Sequence, residues 1–99
     1  MSTEVNIAKQ VFHDKVDSQI KTAQARLETL KAKAQTTKAN AELKLIADLL
    51  AKKMTIDQKL AELRKSSDGS YQQAKSDVES RVADLEKSVQ AIEAKFKAA

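Results

Sequence analysis

One glycine and no proline occur in the 99 residues of this chain. The glycine stands in the run Lys65-Ser66-Ser67-Asp68-Gly69-Ser70, so helix-breaking chemistry is gathered in one place. The rest is dominated by Ala, Leu, Lys, Glu and Gln, residues that lose little on entering a helix. An almost wholly helical chain follows, with one marked reversal at 66–70. Beyond it, Ser70 and Gln73 form the Ser-x-x-Gln pattern of a capping box, and Gly69 just outside is expected to take a positive φ at little cost.

The apolar residues Val5, Ala8, Phe12, Val16, Ile20, Ala23, Leu27, Leu30 and Ala34 recur at steps of three and four, and Thr37, Ala41 and Leu45 continue the phase. Such steps place them on one helical stripe. The middle segment has two stripes, Ile46, Leu49, Ile56, Leu60, Leu63 and Leu43, Ala47, Leu50, Met54, Ala61, a face wide enough for two neighbouring helices. A last stripe runs Tyr71, Ala74, Val78, Val82, Leu85, Val89, Ile92, Phe96. Folding the chain back pairs Leu63 with Ala74, Leu60 with Val78, Ile56 with Val82, Leu49 with Val89, Ile46 with Ile92 and Leu43 with Phe96, all with index sums of 137 to 139. At Leu85 that register meets Lys53, so Met54 or Leu50 is expected to lean in.

The first forty residues admit two arrangements. Phe12, Val16, Ile20, Leu27 and Leu30 would forfeit on the order of 10 kcal/mol if left in water, so something covers them. Either the chain turns near 35–40 into an up-down-up three-helix bundle, or one helix runs unbroken over about 5–65 and its overhang pairs with another molecule. Thr36, Thr37 and Asn40 can cap helices. The absence of Gly and Pro there, and the unbroken phase, favour the second arrangement. The expected fold is therefore all-α: an antiparallel hairpin or coiled coil, with a long helix about 5–65 and a second about 70–97. It forms a single domain over 1–99, with an N-terminal arm 1–40 and a hairpin 41–99 that turns at 66–70.

Several function classes find no motif. Phosphate-binding glycine loops, nucleophile elbows and cysteine are missing from the sequence, so no enzyme, no cofactor and no small-molecule substrate are expected. Asp77, Asp84 and Glu93 fit the polar side of an amphipathic helix. His13 with Asp17 one turn on is half a metal site at most, and no further ligand has recognisable spacing, so no metal is expected. Lys31, Lys33, Lys52 and Lys53 make short basic clusters without interleaved aromatics, a poor match for nucleic acid. Lysines and arginines less acids give +3 over 1–40, +2 over 41–65 and −1 over 66–99, which suits helix pairing better than polyanion binding. Tyr71 is expected to cap the core with its hydroxyl to water. The N-terminus has neither the basic nor the apolar region of a signal peptide, and Leu43–Leu50 is too short to span a bilayer, so a cytoplasmic location is expected.

The stretch Ser66-Ser67-Asp68-Gly69-Ser70-Tyr71-Gln72-Gln73-Ala74-Lys75-Ser76-Asp77-Val78-Glu79, with Val82, Leu85 and the ending Ala94-Lys95-Phe96, resembles small bacterial coiled-coil stress-response proteins. Leu60-Ala61-Glu62-Leu63-Arg64-Lys65 fits their approach to the turn, and the resemblance covers about residues 56–97. It implies a non-enzymatic helical hairpin linked to stress and supplies no catalytic residues.

The function expected is thus self-association or helix-mediated protein binding. The partner is a second copy or another helical protein, met through Phe12, Val16, Ile20, Leu27, Leu30, Leu43, Leu50 and Met54. The alternative is an amphipathic coat on a membrane or granule, in the manner of phasins or exchangeable apolipoproteins, which involves peripheral membrane contact. Weak nucleic-acid association ranks third.

Overall fold

The computed structural model describes residues 3–66 and 68–98, as three helices. These are α1 (Thr3–Thr37), α2 (Asn40–Lys65) and α3 (Asp68–Ala98). They pack into a bundle with extents of 54 × 17 × 17 Å. That length is about what the 35 residues of α1 span at roughly 1.5 Å each. Links this short leave only antiparallel neighbours, so α1 and α3 run parallel. Side chains report the register. Arg64 reaches Gln10 across α1–α2, while Lys9 lies on Tyr71, Lys33 on Phe96 and Lys75 on Phe12 across α1–α3.

The expected single helix over 5–65 is overturned, and with it the two-helix hairpin. The chain turns at Lys38–Ala39 and forms the three-helix bundle that the sequence also allowed. Lys38 adopts φ 57, the left-handed region. Ala39 N–H donates to Ala34 O at 2.8 Å and Lys38 N–H to Gln35 O at 3.3 Å. These are the two bonds of a Schellman motif, and half-buried Ala39 packs on the core as the motif's apolar contact. Glycine usually occupies the left-handed position. A side chain there costs about 1–2 kcal/mol, which the packing of α1 against α2 outweighs. Thr36 and Thr37 cap nothing in α2; their hydroxyls donate back to Ala32 O and Lys33 O within α1.

The second reversal also differs from expectation. No glycine has positive φ, and Gly69 lies inside the first turn of α3. Ser70 is likewise within the helix, so the capping box is out of register with the helix start. Ser66 is extended, φ −71 and ψ 151, and its hydroxyl donates to Leu63 O at 2.7 Å. Ser67, where the turn was also placed, lies outside the described residues.

The core is a single apolar seam. α1 contributes Phe12, Val16, Ile20, Ala23, Leu27, Leu30 and Ala34; α2 contributes Ile46, Leu49, Ile56, Leu60 and Leu63; α3 contributes Tyr71, Val78, Val82, Leu85, Val89 and Ile92. No polar or charged side chain is buried among the described residues. The phase expected to continue through Ala41 and Leu45 does not: Ala41 is exposed and Leu45 is 40% exposed, because the turn rotates α2 to present Ile46 and Leu49. Lys53, seven residues from both Ile46 and Leu60, takes the seam position between them and is half-buried. It is held by Asp57 at 2.7 Å. Of the two residues expected to lean in, Leu50 is half-buried and packed on the core, while Met54 stays outside.

Candidate functional site

Of the residues expected to meet a partner, five are taken up by the bundle. Phe12, Val16, Ile20, Leu27 and Leu30 are buried against the chain's own α2 and α3. Leu43 and Leu50 are half-buried and packed on the core, while Met54 is 62% exposed. The second stripe of α2 is therefore only partly covered, with Met54, Ala47 and Ala61 on the outside. Leu43, Ala47, Leu50, Met54, Asp57 and Ala61 alternate steps of four and three, the spacing of a coiled-coil seam. Ala47 and Ala61 are exposed beside Met54. Small alanines let a second backbone come close, and an unbranched methionine adapts to what packs on it. The stripe runs on to Arg64, which bonds Gln10 of α1, and Asp57 within it is occupied by Lys53.

Two exposed apolar residues fall outside the stripes read from the spacing. Ile7 and Val11, one turn apart at the start of α1, are 56% and 62% exposed. The periodicity marks Val5 and Ala8 as the stripe there. The signal that could have found Ile7 and Val11 is that they flank that stripe.

The α1–α3 face is organised by charge. Each of the three aromatic rings carries a lysine from the opposite helix: Lys9 at 5.1 Å from Tyr71, Lys75 at 5.3 Å from Phe12 and Lys33 at 5.7 Å from Phe96. Lys9 also donates to Ser66 O at 3.1 Å, tying α1 to the second link. Arg26 forks onto Glu93, with Nε donating to Oε2 at 2.9 Å and Nη2 to Oε1. The hydrogen bond from Arg26 holds the Glu93 carboxyl below its ordinary range, and reciprocally raises Arg26. Burial raises the Tyr71 phenol, with Glu79 adding to the shift.

The candidate chemistry residues are apart. His13 Nδ1 is buried without a hydrogen-bond partner, 3.6 Å from Asp14 Oδ1, whereas Asp17 is engaged by Lys21 at 3.0 Å. Asp77 binds Arg81 and Lys59, and Glu93 binds Arg26. No group of three or more His, Cys, Asp or Glu able to hold a metal occurs among the described residues. A groove of about 190 Å³ between α2 and α3 is lined by Lys52, Ile56, Arg81, Asp84, Leu85 and Ser88. Small-molecule sites run to roughly 300–1,000 Å³. A wider depression at Asp14, Ser18, Lys21 and Ala25 lies on α1 alone and has no second wall. No described helix is long and apolar enough to cross a membrane.

No family model, curated protein or solved structure matches the chain. The class that the coordinates define is a small all-helical bundle.

Proposed function

We propose that this protein is a non-enzymatic interaction module that self-associates through the outer seam of α2. The observation that carries the proposal is Met54, 62% exposed in a four-three stripe whose other large members, Leu43 and Leu50, are half-covered by the bundle. A second copy of the stripe, laid antiparallel, would cover the exposed edges of Leu43, Leu50 and Met54 together. Such a two-fold contact uses the same patch on both copies. The resemblance of residues 56–97 to bacterial stress-response coiled coils adds a stress setting to this proposal.

Sedimentation velocity over protein concentrations from about 5 to 500 µM tests it. The mass of the wild type should rise with concentration, and Met54→Glu should lower that rise by removing the share made through the seam, because a carboxylate at its centre is desolvated without a partner. A wild-type mass constant at 10.9 kDa over the whole range would refute self-association.

A further inference from the structure

We infer that two copies of this chain exchange α1, each α1 docking on the α2–α3 pair of the other copy, with Lys38–Ala39 as the hinge. Each resulting unit is still the three-helix bundle, and the inference is independent of the α2 seam.

The contacts that hold α1 are made by side chains along its whole length. They are its apolar stripe from Phe12 to Ala34, the Arg26–Glu93 fork and the lysine–ring pairs with α3. An α1 from a second copy brings the same groups, so exchange recovers each of them, and domain swapping is a low-cost route to a dimer for this reason. The hinge adds a driving term. It is two residues long, and Lys38 sits at φ 57, where a side chain is strained. Opening the link releases that strain, and short strained hinges invite exchange. Residues 35–41 include neither glycine nor proline, so nothing in the hinge sequence prefers the closed turn.

At the other link the described residue, Ser66, lacks this property. Ser66 has ordinary extended angles, and its N–H and hydroxyl both donate to Leu63 O. Its carbonyl accepts from Lys9. Exchange is therefore expected for α1 and not for α3.

The chain contains no cysteine, so single thiols report without interference. Gln10→Cys and Arg64→Cys replace side chains 3.5 Å apart across α1–α2. The two variants are mixed, unfolded, refolded together at about 0.5 mM and joined with a short bis-maleimide; concentrated refolding promotes the intermolecular step. Exchange predicts a covalent pair containing one copy of each. Gln10→Cys mixed with Lys97→Cys, at opposite ends of the bundle, should yield almost none. Adding Lys38→Gly to both copies should lower the dimerisation constant about five-fold per hinge, about 25-fold for the two hinges of a dimer. Adding Met54→Glu should leave it unchanged. No covalent pair, an equal yield from the Lys97→Cys control, indifference to Lys38→Gly, or loss of the pair with Met54→Glu would each overturn the exchange.

Discussion

The two links of this bundle reverse the chain in opposite ways. The second is flagged by Ser, Asp and the lone glycine, yet Gly69 is an ordinary helical residue with negative φ. The first has no flag, yet Lys38 stands where glycine would be favoured. A turn residue marks a place where the chain can bend cheaply. Where it does bend is decided by the apolar area that bending covers, and burying the α1 stripe outweighs about 1–2 kcal/mol of left-handed strain.

Substitutions at the links test this contrast, the largest effect first. Lys38→Pro should destabilise by about 3 kcal/mol or more in urea unfolding followed by helical circular dichroism, since the ring cannot reach φ 57 and deletes the N–H given to Gln35. Ser66→Pro should cost less, about 2 kcal/mol, because φ −71 suits proline and the loss is two bonds to Leu63 O, from the N–H at 3.2 Å and from the hydroxyl at 2.7 Å. Equal losses would erase the distinction between the links. Lys38→Gly should stabilise by about 1 kcal/mol. Gly69→Ala should also stabilise, by about 0.5–1 kcal/mol, because a Cβ there meets nothing within 4 Å. The chain thus gains from glycine at the unmarked link and from its removal at the marked one; a loss in either variant would contradict the backbone described.

The smallest effect concerns the α1–α3 face. Glu93 has its pKa lowered from 4.5 by Arg26, so its contribution is present above pH 4.5 and disappears as pH falls through the lower folded value. The pair is about a third exposed. Solvent screening leaves roughly 0.5 kcal/mol for Glu93→Gln to remove at pH 7, with nothing to remove in strong acid. An equal difference at pH 7 and pH 2 would rule out the ion pair as its source.

Much of the core could be read from residue spacing. Steps of three and four mark Phe12 to Ala34, Ile46 to Leu63 and Val78 to Ile92 as buried stripes, since helical periodicity is a local property. The partner of the first stripe could not be read. Thr37, Ala41 and Leu45 continue its phase and contain no breaker, so local chemistry favoured carrying on, while the Schellman bonds of Lys38 and Ala39 exist only once α2 lies against α1. The Leu85 layer shows the same limit. Of the two apolar candidates, Leu50 packs on the core and Met54 does not. The half-buried Lys53 between Ile46 and Leu60 is tolerated because Asp57 one turn away satisfies its ammonium. The site followed suit. Five of its eight residues turned inward, and Met54 remained as the exposed large member of the outer stripe.

Composition and periodicity were enough to decide that this chain is helical, which face of each helix is apolar, and that phosphate-loop, thiol and nucleophile-elbow chemistry has no motif in it. Those properties depend on residues within one or two turns of each other. Packing chose the number of helices, the left-handed lysine, the parallel α1–α3 face with its lysine-capped rings, and which apolar stripe stays in water. Each of these balances a local strain or an exposed surface against contacts between residues some sixty positions apart, as with Lys9 and Tyr71. No window of neighbouring residues contains both sides of that balance.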